Sequence, residues 1–268
     1  MSAGKSAALF FFPHQDDEYG VFQQIADDLQ SGHRVCCVYI TDGGMVISER
    51  RNAESLAVLK RLGAQRQDVF FAGTELGIPD GGLPEHLETA AGWIRGWLTG
   101  FERVAAIYAP AWEGGHPDHD ALHALVAHIA RERGMLEIVR QYSLYNSYQL
   151  PGPLFRVFLP LPENGQATRT RIPWKNRFRF LRLCLCYPSQ AKTWLGLFPC
   201  VMFHYLTKGS QLLQPVSAGR IGQRPHEGRL YYEKRSFFTW EKMSACLANW
   251  QSAQGIGVDA PGGGKIGK

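Results

Sequence analysis

The alternation of apolar runs with amphipathic stretches between residues 7 and 133 limits the fold more than any other feature of this sequence. Four apolar runs predict buried strands, and each is followed by a stretch with helical periodicity. The predicted strands cover 7–12, 34–40, 68–72 and 104–109, and the predicted helices cover 21–31, 48–62, 84–98 and 118–133. This pattern indicates an α/β fold, a Rossmann-like parallel sheet with helices on both faces. The common strand order 3-2-1-4 would place strands one and four side by side.

The second half of the chain gives a weaker pattern. Strands are predicted at 136–142 and 154–159, and helices at 175–186 and 192–206. No linker separates the halves, and 268 residues suit one large domain. We therefore expect a single domain over 1–253, with a catalytic core at 7–150, a helical and strand cap at 151–253, and a flexible glycine-rich tail at 254–268.

A cluster of titratable side chains follows the first predicted strand directly. His14, Asp16, Asp17 and Glu18 lie on the turn between this strand and the first helix. Open α/β sheets bind their ligands at the carboxyl ends of the strands. An acidic helix start would explain Glu18 and Asp17 through the helix dipole, but it would not explain His14. Groups this close repel one another unless a cation or buried protons compensate, so the turn is a candidate metal site.

A second cluster opens the helix after the fourth strand. His116 and His119 are three residues apart, so they share one face of the helix start, and Pro117 suits the first turn. If strands one and four are neighbours, this cluster should face His14 and Asp17. Two imidazoles and a carboxylate with an open fourth position make a catalytic zinc site, although Fe²⁺ or Mn²⁺ could substitute. His123, one turn deeper, is interpreted as structural.

These two clusters carry a family resemblance. His-Gln-Asp-Asp-Glu at 14–18 and His-Pro-Asp-His at 116–119 are similar to the motifs His-Pro-Asp-Asp-Glu and His-x-Asp-His of the PIG-L/LmbE-like family of zinc-dependent N-acetylglucosaminide deacetylases. Only Gln15 departs, at a position that is not a family ligand. Three further elements resemble the family: Arg51-x-x-Glu54, Asp80-Gly81-Gly82-Leu83 and Tyr187-Pro188-Ser189-Gln190. The likeness covers residues 7–130 well and the rest loosely.

The resemblance implies a role for each site residue. Three residues would hold the zinc ion: His14, Asp17 and His119. Asp16 would be the general base, His116 would face the oxyanion or protonate the leaving amine, and Asp118 would orient His116. Arg51 and Asp80 would bind the substrate.

The activity that the resemblance implies is zinc-dependent removal of an N-acetyl group from an N-acetylglucosamine-type conjugate, with no organic cofactor. Two alternatives stay open. The protein could deacylate another amide, such as an antibiotic or a thiol-glycoside precursor, or it could be a non-catalytic sugar-binding protein that keeps the metal site. The presence of both Asp16 and His116 argues against the second alternative, because a binding protein needs neither a base nor an acid.

One segment is strongly basic. Residues 164–226 contain no Asp or Glu but ten Lys and Arg, within a chain of net charge +5. Three interpretations stay open for residues 169–208: a cap with solvated charges, a membrane-surface element that serves a lipid-linked substrate, or a rim that recognises a substrate phosphate. The membrane interpretation rests on seven apolar side chains: Trp174, Phe178, Phe180, Trp194, Leu195, Leu197 and Phe198. Nucleic acid is not an expected partner, because no nucleic-acid-binding fold accompanies the charge.

The cysteines and the hydropathy bear on location. The six cysteines form no Cys-x-x-Cys pair and lie mostly in apolar contexts, which favours reduced thiols. No uninterrupted transmembrane run and no signal-peptide pattern are present. We therefore expect a cytoplasmic protein, peripheral to the inner membrane face if the basic segment binds lipid.

Overall fold

The computed structural model describes residues 5–254 and contains a seven-stranded sheet and a two-stranded hairpin. The strands are β1 (Ala7–Phe12), β2 (Arg34–Tyr39), β3 (Val69–Phe70), β4 (Val104–Pro110), β5 (Val139–Tyr142), β6 (Tyr145–Asn146), β7 (Arg156–Val157), β8 (Thr168–Arg171) and β9 (Ser210–Pro215). The large sheet has the order β3-β2-β1-β4-β5-β9-β8. Strands β1 to β5 run parallel, whereas β9 is antiparallel to both of its neighbours. Strands β6 and β7 form the hairpin.

Helices cover both faces of the sheet, as predicted. They are α1 (Phe22–Gln30), α2 (Ser48–Leu62), α3 (Ala72–Leu76), α4 (Leu87–Leu98), α5 (Pro117–Glu132), α6 (Trp174–Cys184), α7 (Ala191–Thr207), α8 (Tyr231–Lys234) and α9 (Trp240–Ala253). Side chains of β1 alternate between two cores because successive residues of a strand point to opposite faces. Leu9 and Phe11 join the core that holds α4, α5 and α9, and Phe10 and Phe12 join the core that holds α1, α6 and α7. Every residue of β1 is buried, as a central strand requires.

The predicted order 3-2-1-4 is confirmed. Strand β1 lies between β2 and β4, so the chain leaves β1 in one direction and β4 in the other. The ends of β1 at Phe12 and β4 at Pro110 therefore border one crevice, the place where such sheets bind ligands. The turn after Phe12 and the start of α5 meet there.

Several predicted elements differ in length. The strand predicted at 68–72 is reduced to Val69–Phe70, because α3 starts at Ala72 and packs closely on the segment that follows β2. A Cβ atom on Gly73 would lie 2.2 Å from the Thr41 backbone, so only glycine allows this approach. The strand predicted at 154–159 is only Arg156–Val157, and it pairs in the hairpin, outside the main sheet.

The second half of the chain completes the main sheet. Strands β8 and β9 were not predicted, yet they extend the sheet beyond β5. The two helices predicted at 175–186 and 192–206 are present as α6 and α7. Three of the side chains predicted as candidates for membrane contact, Phe180, Trp194 and Leu197, are instead buried in the core. Apart from residue 254, the tail predicted as flexible lies outside the described residues.

Two further predictions concern cysteines and membrane spans. All six cysteines lie in the described part of the chain and are unpaired. None of the helices within residues 5–254 combines the length and the apolar character that a membrane crossing needs.

Candidate metal centre and active site

The first cluster occupies the turn that leaves β1. Residues 13–21 are all buried. Asp16 has a φ of 117°, a conformation that costs a non-glycine residue about 1–3 kcal/mol. A 3-10 helix over Asp17–Val21 follows. This strained turn directs the neighbouring carboxyl groups of Asp16 and Asp17 to different partners.

The second cluster is fixed by the start of α5. His116 is the N-cap, and its Nδ1 accepts a hydrogen bond from the Asp118 amide at 3.2 Å. Because Nδ1 is the acceptor, a neutral His116 carries its proton on Nε2. The preceding residue, Gly115, lies so close to the hairpin that an added Cβ would be 2.1 Å from the Tyr145 carbonyl oxygen. The Asp118 amide therefore orients the His116 ring, and the backbone before His116 packs tightly against the hairpin.

The two clusters meet at His14. Its Nδ1 lies 3.0 Å from Asp17 Oδ2, and its Nε2 lies 2.8 Å from Asp118 Oδ2 and 3.2 Å from Asp80 Oδ1. A ligand atom of His14, one of His116 and one of His119 all lie within 4.8 Å of one another. The structure thus brings both predicted clusters, and Asp80, into one group at the carboxyl ends of β1 and β4.

His119 shows that this group fits a metal ion. Its ring is 1% exposed, and neither ring nitrogen has a hydrogen-bond partner within the described part of the chain. Buried ring nitrogens are normally bonded, so a group that takes up one of them is expected here. Its Nε2 lies 3.4 Å from Asp17 Oδ2, which also contacts His14. Two imidazoles and a carboxylate are the donor set of a catalytic zinc site.

The pKa values of the two neighbouring aspartates are shifted in opposite directions. Burial alone would raise the pKa of Asp17, but the nearby His119 and His14 outweigh it and hold that pKa well below its usual range. Burial and the Asp17 charge instead raise the pKa of Asp16. Burial would lower the pKa of His14, but Asp80 and Asp17 raise it overall. Opposed pKa values in one cleft are typical of acid–base sites, and the same carboxylates would attract a divalent cation.

His116 differs from His14 in its electrostatic surroundings. Burial and the neighbouring His14 lower the pKa of His116 to about 4. The neutral ring therefore predominates at neutral pH, with its Nε2–H free to donate. The Asp118 carboxylate was predicted to orient His116, but it lies closer to His14, at 2.8 Å, than to His116, at 3.9 Å. It is the backbone amide of Asp118 that contacts the His116 ring.

Arg51 and Asp80, the predicted substrate-binding residues, form a pair at the edge of the group. Arg51 donates to Asp80 Oδ2 at 2.8 Å and to the carbonyl oxygens of Gly43 and Gln15. Arg51 is buried, whereas the Asp80 side chain is 35% exposed. Asp80 is therefore the member of this pair that is more accessible from the cavity.

Gln15, which departs from the family motif, points away from these groups. Its side-chain amide donates to Asn52 Oδ1 at 2.6 Å and lies against Gly43, where a Cβ would be 2.1 Å from Gln15 Oε1. Gly43 has a φ of 72°, which also favours glycine. Gln15 thus supports the Gly43 loop, whose carbonyl accepts from Arg51, and its side chain forms no hydrogen bond with His14, Asp17 or His119.

A cavity of about 570 Å³ opens onto this group. Its polar end holds the residues His14, Asp16, Asp17, Arg51, Asp80 and His116. Its other walls include the aromatic residues Tyr19, Tyr145, Phe155, Tyr231 and Phe237. Lys192 and Arg235 also line it, and no acidic partner for either is seen among residues 5–254. A cavity of this volume is in the range that small-molecule sites occupy in proteins.

The sequence analysis missed one direct contact to the predicted base. The indole N–H of Trp194 on α7 donates to Asp16 Oδ2 at 3.2 Å, and Arg51 lies 3.6 Å from Asp16 Oδ1. Trp194 stacks on Tyr187, with ring centroids 5.8 Å apart. The one available signal was the Tyr187–Gln190 element, which shows only that this part of the cap approaches the site. Ser189 of that element bonds Glu54 on α2.

Comparison with known families decides the classification. Residues 9–130 match the family model described as PIG-L, GlcNAc-PI de-N-acetylase. Residues 9–130 thus carry the sequence features of this family. The predicted family is thereby confirmed, and the match includes both His/Asp clusters. Comparison with curated protein sequences found no match.

Solved structures share the fold of this chain. A deacetylase of the teicoplanin biosynthesis pathway has 18% identity over 79% of this chain and 98% of its own, with a TM-score of 0.61. The zinc-inhibited form of teicoplanin deacetylase has 16% identity over 79% and 98%, with a TM-score of 0.59. The N,N'-diacetylchitobiose deacetylase from Pyrococcus horikoshii has 17% identity over 79% and 83%, with a TM-score of 0.53. These likenesses extend past residue 130 and confirm the predicted fold class.

Proposed function

We propose that this protein is a metal-dependent hydrolase that removes the N-acetyl group from an amino-sugar conjugate and releases acetate and a free amine. The observation that carries the proposal is that the carboxylates of Asp16 and Asp17 contact different groups. Asp17 contacts His14 and His119, whereas Asp16 faces the cavity with different partners. A metal site with a separate carboxyl group beside it is the arrangement that amide hydrolysis needs.

His14, Asp17 and His119 would hold the metal, which we propose is Zn²⁺. Fe²⁺ and Mn²⁺ suit the same donors. When bound, such an ion polarises the amide carbonyl and lowers the pKa of a bound water to about 7. His116 also lies within reach, but its Nδ1 already accepts a hydrogen bond from the Asp118 amide, which leaves the proton on Nε2. We therefore assign His116 to the substrate and Asp17 to the metal.

Asp16 would accept the proton of the attacking water and pass it to the leaving amine. Trp194 and Arg51 hold its two oxygens in the cavity wall. A positioned base typically contributes 10²- to 10⁴-fold to the rate. His116 would donate its Nε2–H to the oxyanion of the tetrahedral intermediate. Removal of one such donor typically costs about 3–4 kcal/mol of transition-state stabilisation.

The substrate assignment rests on the walls of the cavity. Asp80 offers a carboxylate for sugar hydroxyls, and the aromatic residues offer flat apolar faces. The family description and the diacetylchitobiose deacetylase both name N-acetylated sugars. Lys192 and Arg235 line the cavity and would attract an anionic group on the conjugate. That this group is a phosphate or part of a lipid stays a prediction.

Metal content tests the ligand assignment. We expect about one zinc ion per chain, and we expect His14→Ala and His119→Ala to lose it, because three protein ligands are needed for a tight catalytic site. His33→Ala is the matched control, since His33 bonds Asp28 away from the cavity. Full occupancy in His119→Ala would reject the assignment. Because one relative has a zinc-inhibited form, activity should be followed below and above one equivalent.

Acetate release tests the reaction. The metal-loaded protein is incubated with N-acetylglucosamine, diacetylchitobiose, and lipid-, inositol-, nucleotide- and peptide-linked N-acetylglucosamine. Release from at least one conjugate, lost on chelation and restored by metal, is the expected result. Deacylation of only a non-sugar amide would favour the first alternative activity. Tight sugar binding with no turnover of any amide would favour the sugar-binding protein.

A further inference from the structure

We infer that the exposed surface formed by α6 and α7 binds the surface of an anionic lipid bilayer. We call it the cap surface, and it comprises the outward-facing side chains of Trp174–Cys184 and Ala191–Thr207 together with Leu185 and Lys208. This inference goes beyond the proposed function, because membrane binding can be measured without any turnover.

Helix α7 is apolar on both of its faces. Its inner face, with Trp194, Leu197, Val201 and Tyr205, packs into the core. Its outer face carries a second apolar stripe, made of Leu195, Pro199, Met202, Phe203 and Leu206. Leu195 is 82% exposed and Phe203 is 64% exposed. A helix on the surface of a water-soluble protein normally has a polar outer face, so this stripe of about 17 Å indicates a binding surface.

Helix α6 adds aromatic and basic side chains beside this stripe. The helices pack against each other. Trp174 and Phe178 stack with ring centroids 6.0 Å apart, and both are about half exposed. Lys175 and Arg182 share this outer side, and Leu185 follows at its end. Aromatic and aliphatic side chains that alternate with Lys and Arg are the composition of helices that lie in the headgroup region of a membrane.

The positive charge of the cap surface favours an anionic lipid bilayer as its binding partner. Residues 164–226 contain no carboxylate side chain, and four exposed cations lie on α6 and α7 or directly after them: Lys175, Arg182, Lys192 and Lys208. A symmetric pairing of two copies would bring these cations against the same cations, which disfavours self-association. An anionic lipid surface supplies the opposite charge and accepts apolar side chains at the same time.

The cap surface is continuous with the mouth of the cavity. Leu195 lies between Thr193 and Gly196, which line the cavity, and Lys192 lines it as well. Exposed apolar side chains from separate segments also lie at the cavity: Leu154 and Phe237. Phe237 lines the cavity itself, and Leu154 lies between the lining residues Pro153 and Phe155. Binding through this side would hold the cavity mouth close to the lipid headgroups.

Vesicle flotation of the full chain tests the inference. We expect the protein to float with phosphatidylcholine–phosphatidylglycerol vesicles more than with phosphatidylcholine alone, and to be released as salt is raised. Leu195→Glu/Phe203→Glu should weaken binding by at least about tenfold, since two carboxylates would enter the headgroup region. The matched control is Ala245→Glu/Ala248→Glu on the exposed side of α9, which packs in the opposite core.

Several results would overturn the inference. The wild-type chain could fail to bind either kind of vesicle, or Leu195→Glu/Phe203→Glu could bind as well as the wild type. The α9 control could also lose as much binding as Leu195→Glu/Phe203→Glu. Melting temperature and metal content confirm that each variant is folded. A wild-type dimer that Leu195→Glu/Phe203→Glu dissociates would assign the cap surface to a second copy, and lipid-independent binding of an acidic protein would assign it to such a partner. The inactive Asp16→Asn variant should still float, which separates this test from that of the proposed function.

Discussion

Asp16 and Asp17 are neighbours in the chain but contact different groups, and their substitutions should differ accordingly. Asp16→Asn keeps the size and the acceptor for Trp194 but removes the basic oxygen. We expect it to keep the metal and to lose roughly 10²- to 10⁴-fold in kcat. Asp17→Asn should weaken metal binding first, because this carboxylate contacts both His14 and His119.

The two variants are compared side by side for metal content and acetate release. If Asp16→Asn loses the metal while Asp17→Asn keeps it, the two roles are exchanged. If both keep the metal and near-normal rates, the hydrolytic mechanism is wrong.

Asp80→Asn tests the substrate-binding assignment. Asp80 is the exposed member of its pair with Arg51, so losing its charge should raise KM or lower kcat/KM while the metal content stays normal. Steady-state kinetics on the conjugate that releases acetate provide the measurement. Because Asp80 Oδ1 also lies 3.2 Å from His14 Nε2, loss of metal in this variant would make it a ligand.

The sequence predicted the residues of the site better than their contacts. Both His/Asp clusters follow strands that can be recognised from apolar runs, so their meeting follows from the strand order. The bond from Trp194 to Asp16 could not be predicted, because Trp194 lies in an apolar stretch and only the packing of α7 shows which of its faces is buried. Likewise, both His14 and His116 lie near Asp118, and the sequence alone does not distinguish them.

Helix α7 of the cap contacts the proposed base directly, because Trp194 donates a hydrogen bond to Asp16. Trp194→Phe keeps the stacking on Tyr187 but removes the hydrogen-bond donor to Asp16. We expect about a tenfold fall in kcat with little change in KM, since loss of a bond to a carboxylate is worth at least about 1.5 kcal/mol and each 1.4 kcal/mol is tenfold in rate.

The matched control for Trp194 is Trp250→Phe. Trp250 also donates its indole N–H to a carboxylate, that of Glu88 at 3.1 Å, but on the opposite face of the sheet. An equal fall in kcat for both variants would show that only general packing was disturbed.

Elements with strong periodicity were predicted correctly, and short ones were not. Strands β1, β2 and β4 are long buried apolar runs, so they could be located within about one residue. Strand β8 consists of alternating Thr and Arg, and β9 contains two glutamines and a proline, so neither shows a clear apolar pattern. Both depend on pairing with distant strands for their conformation, which no local pattern reports.

The stability of the whole molecule should depend on His123. Its Nδ1–H donates to the Pro110 carbonyl at 2.8 Å, and burial lowers its pKa from 6.5 to about 4. Between these two pH values the unfolded chain binds more protons than the folded chain. The free energy of unfolding therefore keeps the full contribution of neutral His123 above pH 6.5 and falls as the pH drops towards 4. At pH 5 this one group should cost about 2 kcal/mol relative to pH 7.

Urea unfolding of wild type and His123→Gln between pH 4 and 7 measures this effect. Glutamine keeps a donor for Pro110 but does not titrate, so the free energies of unfolding of the two proteins should converge as the pH falls. Parallel curves would show that His123 does not contribute to acid unfolding.

During synthesis of the chain, β5 is made well before its antiparallel partner β9. Tyr142 of β5 pairs with Leu213 of β9, so 71 residues must be added before this edge of the sheet finds its neighbour. At 5–20 residues per second the ribosome needs roughly 4–14 s for that length. During this interval the nascent chain presents an open strand edge, the feature through which chains join to one another. A message truncated after residue 150 would leave the edge open permanently, so its product should accumulate as aggregates.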